Sequence, residues 1–104
     1  MSTRVMVCYG TPDDPAAFDK HYSEVHIPLA SKVPGLIDYT WGKCAGMGAD
    51  APYYGVAQLE FESPEALQAG LASDEMKAAA ADVPNFASGG ATLFIADQAS
   101  VLTT

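Results

Sequence analysis

Two stretches of this chain are apolar at nearly every position instead of every second one, and nothing else in the sequence restricts the fold as tightly. In Arg4 to Tyr9 (RVMVCY), Val5 and Val7 alternate with Met6 and Cys8, and in Ala91 to Val101 (ATLFIADQASV), Leu93 and Ile95 alternate with Phe94 and Ala96. Both have the length and the β-branched or aromatic content of strands, and the first ends at the breaker cluster Gly10-Thr11-Pro12. Successive side chains of a strand point to opposite faces, so apolar residues of both parities require a sheet covered on both sides.

The intervening segments supply cover for one side. Asp13 or Asp14 can cap a helix that begins at Pro15, and Phe18, Tyr22, Val25, Leu29 and Val33 recur at helical spacing until Pro34-Gly35. Pro28 falls inside this helix and lacks a backbone donor, which predicts a kink that deprives the Glu24 carbonyl of its usual partner. Leu36 to Lys43 (LIDYTWGK) alternates with Ile37, Tyr39 and Trp41 on one face and leads into the small, flexible stretch Cys44 to Pro52. Tyr53 to Glu62 (YYGVAQLEFE) is a third strand. Ser63 then caps and Pro64 starts a second helical region, with Ala66 to Ala81 broken near Ser73-Asp74, and Asp82 to Gly90 forms a loop before the fourth strand. The order βαββαβ over 104 residues describes one domain, residues 1–104, with an α+β ferredoxin-like antiparallel sheet and its helices on one face. The face without helices is expected to meet the sheet of a second subunit in a homodimer.

Thirteen acidic against five basic residues leave a net charge of −8, which repels phosphate backbones and anionic lipid, so neither nucleic acid nor a membrane surface is an expected partner. No apolar run approaches the ~20 residues of a spanning helix, and the N-terminal residues lead into a strand without a signal-peptide core, so the expected location is cytoplasmic. Cys8 and Cys44 lie in no CxxC or Cys/His pattern and read as reduced thiols. The absence of HxxxH, HExxH and GxGxxG spacings argues against a protein-built metal site and a nucleotide fold.

Tyr9-Gly10, then Asp14-Pro15-Ala16-Ala17-Phe18-Asp19, Tyr22, Glu24, His26, Pro28, Leu29 and Pro34-Gly35-Leu36 with Tyr39, resemble the signature region of ethyl tert-butyl ether degradation (EthD-like) proteins, most specifically in the His-x-Pro-Leu run followed by Pro-Gly-Leu. The resemblance implies a dimeric α/β barrel. That superfamily also holds cofactor-free monooxygenases, haem-binding enzymes, lactone isomerases and polyketide cyclases, so the resemblance implies the fold and leaves the reaction open. It also implies a role in oxidative breakdown beside a cytochrome P450 system, and hence an oxygenase as a partner.

For chemistry, His26 and Tyr22 stand out. At 100° per residue His26 lies about 80° from Phe18, on the border of the apolar stripe, and Tyr22 is one turn earlier on the same side. An imidazole titrates near neutrality and a tyrosine beside it can orient a carbonyl or fix the tautomer, so the two are candidates for an acid–base pair. The alternative is a structural histidine that satisfies a backbone carbonyl. His21, about 140° away, is expected to be solvated, and Asp19 to face solvent rather than to orient His26. Tyr9, Phe18, Tyr39, Trp41 and Phe94 are candidate lining for an apolar substrate pocket, with strand parity deciding whether Tyr9, Tyr39 and Trp41 face the helices or a dimer partner. Gly46-Met47-Gly48 and Pro84-Asn85-Phe86 are candidates for covering its mouth.

The leading expectation is therefore an enzyme or oxygenase accessory acting on a small hydrophobic, oxygenated or aromatic molecule in oxidative catabolism or secondary metabolism. His26 would transfer the proton and no bound cofactor would be required; the chemistry would be that of a cofactor-independent oxidoreductase or monooxygenase, or of an isomerase, cyclase or lyase. Two alternatives stay open: a non-catalytic carrier of a hydrophobic intermediate, and a haem protein with His26 as axial ligand.

Overall fold

The computed structural model describes residues 2–99 and 101–102. Its helices begin where short polar side chains satisfy the first backbone donors. Asp14 accepts from the Ala17 amide (3.2 Å) ahead of helix α1 (Pro15–His21), and Ser63 does the same for Ala66 (3.1 Å) ahead of a second helix (Pro64–Leu71). The expected break at Ser73-Asp74 is a third cap: Ser73 accepts from Met76 (3.1 Å) and starts a further helix (Asp74–Asp82), with Asp74 and Glu75 favourably placed in its first turn. A single 3-10 turn (Val83–Asn85) continues into the expected loop.

The first helical region departs from a plain α-helix. Residues Tyr22–His26 form a π turn, in which the Ile27 amide donates to the Tyr22 carbonyl five residues back, and α2 (Ile27–Ala30) follows with Pro28 near its start. The disruption expected at Pro28 is thus taken up by a widened turn just before it. In an α-helix, steps of four residues drift by ~40° each. The π turn cancels part of that drift and keeps Phe18, Tyr22, His26 and Ala30 on one buried face. Val25, expected in the apolar stripe, is 40% exposed instead, and His26 moves from the border of the buried face to its middle.

The four strands β1 (Ser2–Tyr9), β2 (Leu36–Lys43), β3 (Gly55–Phe61) and β4 (Ala91–Gln98) form one antiparallel sheet in the order β2-β3-β1-β4, the ferredoxin-like arrangement. Ser100, included in the expected fourth strand, lies outside the described residues. The helices after β3, α3 (Pro64–Leu71) and α4 (Asp74–Asp82), share the covered face with α1 and α2. Val5, Val7 and Tyr9 of β1 and Ala57, Leu59 and Phe61 of β3 meet Phe18, Tyr22, Val33, Leu67 and Phe86 in the core.

Two registers decide what reaches the core. A bulge between Leu36 and Asp38 makes Ile37 the extra residue, so Leu36 joins Tyr39 and Trp41 on the helix side, while Ile37, expected to accompany them, is 58% exposed. On β4, Leu93 and Ile95 pair with Val7 and Val5 and share the helix side, whereas Phe94 pairs with Met6 and faces away from the helices. All three remain about half or more exposed in the single chain, at 61%, 51% and 49%. Among the described residues no helix is long and apolar enough to cross a membrane.

Candidate active site

Between the sheet and the helices lies a cavity of about 290 Å³. Val5, Val7, Ala57 and Leu59 form its floor, Leu71, Met76 and Ala79 of the C-terminal helical region its roof, and Leu93 part of its β4 side. Three residues with polar tips enter this apolar space: His26, Tyr9 and Tyr39.

His26 is fixed by a group that sequence reasoning assigned to a loop. Its Nδ1 lies 3.0 Å from Asp82 Oδ2, and His21 Nε2 lies 2.8 Å from Asp82 Oδ1, with the Asn85 amide donating to the same carboxylate at 3.1 Å. Burial pushes the Asp82 carboxyl up, but the hydrogen bonds from His21, Asn85 and His26 outweigh it and hold the group below its ordinary value. An ionised carboxylate only accepts, so Nδ1 and His21 Nε2 both carry hydrogens. Burial depresses His26 more than Asp82 restores it, and the imidazole is held below the ordinary histidine value, which leaves Nε2 unprotonated near neutrality. Among the described residues nothing hydrogen-bonds Nε2, and the His26 side chain lines the cavity. His21, expected to be solvated, is instead a half-buried buttress of Asp82 whose ring stacks on Phe86 at 5.4 Å.

Tyr22 does not hydrogen-bond His26. The rings pack at 5.3 Å, and the Tyr22 hydroxyl shares a 2.6 Å hydrogen bond with that of Tyr39. Tyr22 is 2% exposed, and burial drives its phenol and that of Tyr9 well above the usual tyrosine range; burial also raises Tyr39, with the Tyr22 hydrogen bond opposing. All three are neutral O–H groups. Tyr22 therefore positions Tyr39, and Tyr39 and Tyr9 are the tyrosines at the cavity wall.

Phe18 and Trp41 form an aromatic layer beside the cavity and do not line it: Phe18 stacks on Tyr22 (5.8 Å, 5°), and Trp41 lies 4.4 Å from Tyr22. Phe94 is on the opposite sheet face, and its strand parity excludes it from the pocket. Phe86, considered as part of a cover, is 7% exposed and packs on His26 at 4.8 Å. Asp19 is bound at the surface by Lys43 (2.6 Å) and Tyr54 (2.7 Å), away from His26. One signal for Asp82 existed in the sequence: an acid in the last turn of a helix opposes the helix dipole and needs a compensating donor. Among the described residues no group of three or more His, Cys, Asp or Glu side chains is arranged for a metal ion.

A four-stranded ferredoxin-like sheet whose helices hold an Asp-His pair beside an apolar cavity places the chain among small α+β proteins of that fold. Within them it belongs to the EthD family, whose domain model matches residues 11–90. The chain is 46% identical over 100 residues, 95% of its own length and 97% of the relative's, to an uncharacterized 11.0 kDa protein from the thcB-thcC intergenic region of Rhodococcus erythropolis. An ethyl tert-butyl ether degradation family protein from Bacillus halodurans superposes with a TM-score of 0.88 at 32% identity, covering 95% of this chain and 100% of the other. Two solved structures at 16% identity share the fold: a dimeric ferredoxin-like protein of unknown function from Thermobifida fusca (TM-score 0.71, 94% and 92% covered) and SnoaB, a cofactor-independent oxygenase from Streptomyces nogalater (TM-score 0.68, 99% and 97% covered).

Proposed function

We propose that this chain is a cytoplasmic, homodimeric enzyme or oxygenase accessory in oxidative catabolism or secondary metabolism. It binds a small hydrophobic, oxygenated or aromatic molecule and moves a proton at His26 Nε2. The observation that carries the proposal is the Asp82–His26 pair at 3.0 Å on a histidine that lines an apolar cavity. Asp82 fixes the tautomer that leaves Nε2 basic and stabilises the imidazolium once a proton arrives, an arrangement worth roughly 10²–10⁴ in rate for a positioned general base. Tyr39, backed by Tyr22, and Tyr9 offer O–H groups that polarise a carbonyl or phenolic oxygen. The carbanion or phenolate so formed can isomerise, cyclise or meet oxygen. SnoaB, which shares the fold at 16% identity, is named as a cofactor-independent oxygenase, and this accords with the reading.

Dimerisation rests on the apolar residues of β4 left exposed, Leu93, Phe94 and Ile95, and on the dimeric relative of the same fold. The free thiols of Cys8 and Cys44 accord with a reducing compartment. Native mass spectrometry of the purified protein tests assembly and ligand together: a dimer that retains a small organic mass is expected, and a monomer would contradict the dimer. With the retained compound as substrate, His26→Ala should bind it and fail to turn it over. Unchanged turnover, or unchanged flux in the cell, would make the protein a carrier.

A further inference from the structure

Among the described residues, the cavity lining has three polar side chains, His26, Tyr9 and Tyr39, and none is charged in the resting protein. His26 Nε2 offers a lone pair, and Tyr9 and Tyr39 offer hydroxyls held neutral by their surroundings. The cations are all elsewhere. Arg4 is tied to Gln58 and Glu60 on the helix-free face, Lys43 is tied to Asp19, Lys77 lies near Asp74, and Lys20 and Lys32 are exposed. Asp82, 6% exposed, places a negative charge directly behind His26.

Building on the assignment of His26 as a neutral base, we infer that the cavity selects uncharged one- or two-ring phenols and enolisable ketones, and turns away carboxylates and phosphates. The size follows from the volume of about 290 Å³, which accommodates roughly ten to thirty non-hydrogen atoms if each occupies between one full water's share and about one third of it. The selectivity follows from the groups present. A phenol gives its O–H to Nε2 and accepts from a tyrosine hydroxyl, so every buried polar atom on both sides is paired. A carboxylate finds no cation among the described lining residues, and Asp82 repels it. It enters only with a proton, taken either by itself or by His26, so its affinity falls about tenfold per pH unit once pH exceeds the titration of both the carboxyl and His26.

The test compares thymol, a neutral phenol, with cuminate, a carboxylate of similar size and shape. Binding to the wild-type protein is followed by calorimetry and by the ring-nitrogen shifts of His26. Thymol should bind and move Nε2. Cuminate should bind at least about tenfold more weakly at neutral pH and weaken further as pH rises. Cuminate binding as tightly as thymol, without pH dependence, would overturn the inference. If cuminate then also moves Nε2, the base assignment stands and only the selectivity falls; if neither compound moves Nε2, both fall.

Discussion

Replacing Asp82 by Asn keeps the shape of the side chain and removes its charge, so the consequences can be worked through bond by bond. The carboxylate accepts from His21 (2.8 Å), His26 (3.0 Å) and Asn85 (3.1 Å), whereas an amide has a single acceptor oxygen and presents an NH₂ to the other donors. Hydrogen bonds to a charged group contribute about 1.5–3 kcal/mol against about 0.5–1.5 for neutral pairs. His26 is buried and cannot turn to water, while His21, with 29% of its side chain exposed, recovers part of its loss in solvent. Relief from burying a charge offsets some of the remainder. The net destabilisation is about 2 kcal/mol, a fall in Tm of roughly 10 °C for a chain of this size. Because Asp82 is what opposes desolvation of the imidazole, His26 should also titrate at lower pH in the variant than in the wild type. Thermal denaturation and an imidazole NMR titration measure the two effects. An Asn variant as stable as the wild type, with His26 titrating at the same or higher pH, would refute the reasoning.

Tyr39→Phe leaves the Tyr22 hydroxyl, on a residue 2% exposed, without its partner and should cost about 1–2 kcal/mol in chemical denaturation; Tyr22→Phe should cost less, because Tyr39 is only partly buried. Gly55→Ala would place a Cβ 2.7 Å from Trp41 Cζ2, so the indole must shift at a cost of about 1–3 kcal/mol, with a change in tryptophan emission. His26 is held low in the folded state, so the unfolded chain takes up a proton first as pH drops below the ordinary 6.5. Its contribution, present above that pH, is lost on acidification towards the folded value, and Asp82, also held low, extends the loss below 3.8. Unfolding free energy measured across this range should fall with pH in both windows, and the upper window should vanish in His26→Gln.

The sequence made the sheet and the helix starts legible because their signals are local: Asp14, Ser63 and Ser73 each cap the helix that follows, and strand parity in β1 places Val5, Val7 and Tyr9 together. The site was less legible because its geometry depends on two non-local or irregular features. The π turn at Tyr22–His26 rotates His26 into the interior, which a wheel drawn at a constant angle does not represent. The bulge at Ile37 changes which β2 residue accompanies Tyr39 and Trp41. Asp82 meets His26 across 56 residues of chain, so no spacing rule pairs them, and His21 acquires its role only through that shared carboxylate. Residue type alone makes Phe94 a pocket candidate, whereas its placement follows from pairing with Met6.

On this geometry His26 is a neutral imidazole with its proton on Nδ1, held by Asp82, and with Nε2 as the basic nitrogen of a side chain that lines the cavity. Long-range proton–nitrogen NMR of the imidazole rings in the wild-type protein at neutral pH measures this directly. A protonated Nδ1 and an unprotonated Nε2 at His26 are expected; an Nε2-protonated or doubly protonated ring would contradict the account.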